Sequence, residues 1–337
     1  MELKRSKIHI EILRLIAIFL VIYNHTRIYG FTLYLNTDAL LPHYLSYAFS
    51  VLCKIGVPVF FMISGALLIP KEESIKDLFR KRILRIILVI LIFTALQYLR
   101  ICIANHETFN FKTYITFCYC GNIIEPYWYL KAYLGYLLVL PFLRLIGKAL
   151  DAEKGKYLMW LGVAKMAVEV FAIFSGYRMN VDFVICTDIL FYPLLGHAIE
   201  NIGLGEKLRK AAVPAIVGIV VLTVIGGEVY KSVNGVYSDM FVTVSAFPLA
   251  MFTYIAVKGI KVENEKAGRV LASLGSCVFG VYLIEDVTRN LFMFRLGWNF
   301  NVQLRFASAL LFCLTTMVLS LAIIWVVKKI PLVNKLI

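Results

Sequence analysis

The chain carries ten apolar runs, each close to the length that crosses a bilayer as a helix. A hydrocarbon core about 30 Å thick needs about 20 apolar residues at helical rise. The runs fall at roughly 8–26, 46–69, 83–104, 127–147, 157–175, 182–200, 211–230, 238–258, 270–293 and 304–327. Little sequence is left between them for a water-facing core. The expectation is an all-α, polytopic membrane helix bundle of about ten transmembrane helices. Composition agrees: 61% of the 337 residues are hydrophobic and 17% charged, against about 25% charged in a typical soluble domain. Disordered, collagen-like and coiled-coil classes are excluded on the same grounds. The first run holds Arg14 and lacks a small-x-small cleavage pattern, so it reads as a span and not a removable signal. Neither an internal repeat nor a long hydrophilic stretch stands out, so a single integral-membrane domain over 1–337, with no soluble domain, is expected.

The formal charge is +14. In so apolar a chain this argues against a nucleic-acid partner and for a bilayer, with cations gathered on one side. With odd spans running outward, 23 of the 35 Lys and Arg fall on one side and 8 on the other. The remaining four, Arg14, Lys54, Lys131 and Lys165, lie inside spans. Cytoplasmic N- and C-termini in a plasma or inner membrane follow from the rule that basic loops stay inside. The cysteines give little: Cys118-x-Cys120 has no histidine partner, and no metal site is read from it.

An ionisable group inside a bilayer is costly and marks a candidate site. Span one carries Glu11, Arg14, Asn24 and His25. Arg14 and His25 are eleven residues apart, which returns to one helix face within about 20° and separates them by roughly 16 Å along the axis. Glu11 lies at a spacing that lets it pair with Arg14. Spacing alone leaves two readings open: Arg14 reaches the inner headgroups while His25 caps the outer end, or the two serve one site. Arg80-Lys81-Arg82 and Arg85 lead into span three, where guanidiniums suit phosphates and also suit anionic lipid. Val57-Pro58 and Phe60-Phe61-Met62-Ile63-Ser64-Gly65 suggest a kink and a close helix approach, with Ser64 a possible donor to a ligand. Trp128 and Lys131 open span four, and Glu285-Asp286 lie late in span nine, where Glu285 can orient His25, bind a polar acceptor or pair with Arg289.

Taken together, these segments resemble the acyltransferase 3 family of bacterial membrane O-acyltransferases. Arg14-x10-His25 resembles its span-one pair, and Val57-Pro58-Val59-Phe60-Phe61-Met62-Ile63-Ser64-Gly65 its span-two element. Arg82-x-x-Arg85 is similar to its cytoplasmic R-x-x-R, and Trp128-Tyr129-Leu130 with Tyr133 and Pro141 to its WYL segment. One departure is Glu285 in Tyr282-Leu283-Ile284-Glu285, where many relatives carry histidine. The resemblance implies an acyl-coenzyme A-dependent O-acetyltransferase, with acetyl-coenzyme A as co-substrate. The acyl group, acetyl by expectation, would pass to a hydroxyl of an extracytoplasmic or lipid-linked glycan, as in modification of a cell-envelope polysaccharide. It implies His25, Arg14 and Glu11 as catalytic residues. Arg82, Arg85, Lys81, Arg14 and Ser64 would bind the acyl-coenzyme A, and Asn24, Trp128, Lys131 and Glu285 the acceptor. The competing class is a transporter or flippase of a small polar or glycolipid substrate, which would use the same polar interior without acyl transfer.

Overall fold

The computed structural model describes residues 8–177, 179–292 and 305–337, and all regular structure among them is helical. In chain order the helices are α1 (Ile8–Asn24), α2 (Leu40–Cys53), α3 (Gly56–Leu68), α4 (Ile75–Leu78) and α5 (Leu84–Asn105). After these come α6 (Phe111–Tyr119), α7 (Trp128–Ala149), α8 (Ala152–Ser175), α9 (Asp188–His197) and α10 (Ala212–Asn234). The chain finishes with α11 (Phe241–Val244), α12 (Ala246–Lys258), α13 (Glu265–Asn290), α14 (Arg305–Val327) and α15 (Pro331–Leu336). Lys4, Arg5, Lys7, Arg178 and Arg295 of the charge asymmetry lie outside the described residues, as do the run ends at 293 and 304.

Eight helices among the described residues are long and apolar enough to cross a membrane. They fall on eight of the ten expected runs. The other two runs are shorter helices: α1 has 17 residues, and α9 has 10 before a π turn over Ala198–Ile202. Lipid-facing surface fits the membrane assignment. On α10, Val213, Val217, Leu222 and Ile225 are exposed, and on α5 so are Leu88, Leu96 and Ile103. Apolar side chains in such rows are soluble only in lipid.

The helices bury their apolar faces against one another. α1 lies at the centre, with Ile10, Leu13, Ala17, Ile18 and Ile22 fully buried, and packs on α3, α12, α13 and α14. The run expected at 46–69 breaks at Lys54–Ile55 between α2 and α3. Pro58 explains the break, because it has no N–H to close a bond to the Lys54 carbonyl. α3 and α9 approach backbone to backbone. A Cβ on Gly65 would stand 1.9 Å from the Pro193 carbonyl oxygen, and one on Gly196 would stand 2.1 Å from that of Met62. Small residues permit such contacts where the solvent is lipid.

These contacts give a paired prediction. Gly65→Ala should lower stability by about 1–3 kcal/mol or more through overpacking. Gly218→Ala, where a Cβ meets nothing within 4 Å, should be neutral or gain up to about 1 kcal/mol from helix propensity. Thermal unfolding of both variants in the same detergent checks it; equal destabilisation would contradict the packing argument.

Candidate active site

Two cavities meet inside the bundle. The first, about 300 Å³, is lined by Arg14, Ser64, Lys81, Arg82, Arg85 and Tyr133, among others. The second, about 420 Å³, is lined by Asn24, His25, Lys54, Trp128, Lys165 and Asp188, among others. Phe60, Tyr129 and Tyr282 line both, so one aromatic wall separates them. Ring centroids within that wall lie 6.1 Å apart for Phe60–Tyr129 and 5.5 Å for Tyr129–Tyr282.

The cationic cavity is built at a π turn. Phe79–Ile83 winds as π-helix before α5 and carries Arg80, Lys81 and Arg82; such turns are frequent at functional sites. Arg82 donates from Nε to Glu73 Oε2 at 3.0 Å, and Arg144 donates from Nη2 to the same oxygen at 2.9 Å. Arg85 donates from Nε to the Leu336 carbonyl at 2.9 Å, and Ile337 joins the cavity lining. Among the described residues both arginines thus spend Nε on protein and leave their Nη groups unbonded. Arg14 pairs with both oxygens of Glu11, at 3.0 and 2.9 Å. That carboxylate seats against the backbone of α13, where a Cβ on Gly275 would stand 2.0 Å from Glu11 Oε2.

His25 follows the last turn of α1 in the second cavity. Its Nδ1 stands 2.8 Å from Glu285 Oε1 on α13. Glu285 is 0% exposed and its other oxygen accepts from Arg289 Nε at 3.3 Å. A carboxylate accepts and cannot donate, so Nδ1 carries a proton, and in the neutral ring Nε2 then holds the lone pair. Arg289 also donates to the His25 carbonyl (3.0 Å) and to Asp286 Oδ1 (2.8 Å), while Arg100 of α5 donates to Asp286 Oδ2 (2.9 Å). A chain of alternating charges therefore runs Glu285, Arg289, Asp286, Arg100, with the His25 ring hydrogen-bonded to its first member. Tyr127 donates to the Leu283 carbonyl at 3.0 Å and Tyr282 to that of Pro126, which sews the start of α7 to α13.

The residues singled out from sequence are distributed unevenly. Arg14, Ser64, Lys81, Arg82 and Arg85 line the cationic cavity, and His25, Asn24 and Trp128 line the other. Arg14 and His25 thus belong to adjacent cavities joined across the aromatic wall. Three residues take other places. Glu11 holds Arg14 from behind the cavity. Glu285 lies under His25 and lines neither cavity, because both its oxygens are engaged. Lys131 turns to the Phe117 and Gly121 carbonyls and holds the loop around α6. Residues that sequence reasoning passed over are Glu73, Arg144, Arg100, Lys54 and the Lys165–Glu169–Asp188 group. The signal for the last was a cation and two acids inside or beside apolar runs.

A helical membrane bundle with a cationic cavity beside a polar one that holds a carboxylate-paired histidine has the parts of an integral-membrane group-transfer enzyme. The model of the acyltransferase 3 family, described as an acyltransferase domain, matches residues 8–325. The chain belongs to that family and is a multi-pass membrane acyltransferase. No curated protein and no solved structure matches it. Family membership weighs against the transport reading.

Glu73 offers a pH test of the cationic cavity. Burial by itself would raise its carboxyl, but hydrogen bonds from Arg144 and Arg82 overcome this and hold it below its ordinary 4.5. A depressed carboxyl stabilises the fold above its unfolded value, and that contribution is lost as pH falls through the folded one. Glu73→Gln should therefore lower the thermal midpoint by a few degrees at neutral pH, with the gap to wild type closing below pH 4.5. A gap independent of pH would contradict the assignment.

Proposed function

We propose that the protein transfers an acyl group, acetyl by preference, from acyl-coenzyme A in the cationic cavity to a hydroxyl of an extracytoplasmic or lipid-linked glycan in the histidine cavity. The observation that carries this reading is the aromatic wall shared by the two cavities, with guanidiniums on one side and an imidazole on the other. The excess of basic loops assigns the cationic end and both termini to the cytoplasm of a plasma or inner membrane.

The chemistry follows from charge. Coenzyme A is a polyanion, and Arg82, Arg85 and Lys81 offer hydrogen-bonding cations to its phosphates. The pantetheine arm then runs past Arg14 and Ser64 and brings the thioester to the Phe60–Tyr129–Tyr282 wall. On the far side His25 Nε2 takes the proton from the acceptor hydroxyl as its oxygen attacks the thioester carbonyl. The tetrahedral intermediate collapses with loss of the thiolate, and the imidazolium returns its proton to sulfur. Glu285 holds the ring in the tautomer that leaves Nε2 free and balances the imidazolium charge. Arg289 in turn holds the other Glu285 oxygen. The glutamate in place of the family's usual histidine therefore acts beneath His25, as a positioning residue.

Two experiments test this. His25→Ala should reduce turnover of acetyl-coenzyme A by about 10²–10⁴-fold with thermal stability retained. Glu285→Gln should lower kcat and leave KM for acetyl-coenzyme A within about twofold, because the ring loses the partner that fixes its tautomer. Wild-type rates in His25→Ala would overturn the reading. Second, Arg82→Ala with Arg85→Ala should weaken coenzyme A binding by about tenfold or more at low salt, and added salt should narrow the difference. Affinity unchanged by the double substitution would return both arginines to lipid anchoring.

A further inference from the structure

The histidine cavity extends past His25 to a wall that the transfer step does not use. Asp188 opens α9 on this wall, and from α8 Lys165 pairs with Glu169 at 2.5 Å. A recess of about 40 Å³ continues behind them, sharing Lys165, Glu169, Asp188, Tyr192 and Thr243 with the main cavity. Lys54, from the break between α2 and α3, lines the same cavity and rests 4.4 Å over the Phe31 ring. Among the described residues neither the Asp188 carboxylate nor the Lys54 ammonium has a hydrogen-bond or ion-pair partner, whereas Glu125 at the rim is taken by Arg27 and Glu169 by Lys165. Asn24 adds a third vacancy: its Oδ1 is buried without a partner. The Asp188 side chain is exposed to the cavity and Lys54 is half-buried; charges without a partner that line a cavity of a membrane bundle mark ligand contacts, and the buried, orphaned Asn24 Oδ1 requires an explanation of the same kind.

These open groups are two acceptors and one donor beside an indole and a phenol. We infer that the wall formed by Asp188, Lys54 and Asn24 is the acceptor subsite and takes an uncharged, hydroxyl-rich sugar ring. The inference rests on the acyl-transfer reading above and deepens it. Sugar hydroxyls donate to Asp188 and Asn24 Oδ1 and accept from Lys54, while Trp128 and Tyr129 cover the apolar face of the ring. The charges set the class. An acidic sugar would meet Asp188 and Glu169, and an ammonium-bearing acceptor would meet Lys54 and Lys165. Because both signs line the cavity, a neutral polyol satisfies every open group without setting a charge against a like one. The cavity volume of about 420 Å³ lies in the range of small-ligand sites, roughly 300–1,000 Å³.

Because Asp188 lies in the first turn of α9, it also interacts favourably with the helix N-terminus, so the test reads acceptor use apart from folding. The full chain in lipid nanodiscs is given acetyl-coenzyme A with methyl glucopyranoside, methyl galactopyranoside, the methyl glycoside of a uronic acid, or ethanolamine. Thiol release is followed and acetylated product is read by mass spectrometry. A neutral methyl glycoside should be acetylated at least about tenfold better than the uronoside or the amine. Asp188→Asn should raise KM for that glycoside by about tenfold while KM for acetyl-coenzyme A stays within about twofold, and Asp188→Glu should recover part of the loss. If Asp188→Asn does not fold, Lys54→Met should show the same split. Preference for the uronoside or the amine, failure to acetylate any neutral glycoside while acetyl-coenzyme A is still hydrolysed, or an unchanged acceptor KM in the folded variants overturns the subsite. Absence of any acetyl-coenzyme A turnover by the wild type overturns instead the acyl-transfer reading beneath it.

Discussion

A charge placed in a bilayer needs a partner, and the site hangs on the way this chain meets that demand. Glu285, Arg289, Asp286 and Arg100 alternate in sign and touch in sequence from α13 to α5, and the His25 ring at the end of α1 is hydrogen-bonded to Glu285. Each member is stable because of the next. Removing one leaves a buried charge uncompensated, which costs far more than the pair itself contributes. The network therefore fixes where α13 lies against α1, and with it the tautomer and aim of the histidine.

The same demand shapes the cationic cavity differently. There the guanidiniums are held by one edge only, Arg82 on Glu73 and Arg85 on the Leu336 carbonyl. Partial satisfaction keeps them ordered and still leaves donors for a polyanion. Between the two regimes stands an aromatic wall of Phe60, Tyr129 and Tyr282, apolar enough to separate two polar spaces and thin enough for both to share its residues. The proposed transfer between the two cavities would use this compromise between closure and contact.

Much of this was legible in the residues. Runs of bilayer length gave the helical membrane class, and Pro58 signalled the break that the chain makes at Lys54–Ile55. The eleven-residue spacing of Arg14 and His25 placed them on one face, and Glu285 was visible as a buried acid with Arg289 one turn on. What the residues did not give was the use of each polar group. Lys131 looked like a site residue and instead ties down a loop, because carbonyls from the segment around α6 fold back onto it. Asp188 is an acid within an apolar run, and only the fold shows that it lines the histidine cavity. Glu73 and Arg144 are 71 residues apart, and no pattern in the chain announces that they meet.

The sequence by itself determined the solvent, the helical class and the inventory of intramembrane charges, because hydropathy and helical period are local quantities. Tertiary structure alone decided which charges are spent on each other and which remain open to a ligand. Pairing is a property of contact between helices distant in the chain: His25 and Glu285 are 260 residues apart and separated by 2.8 Å.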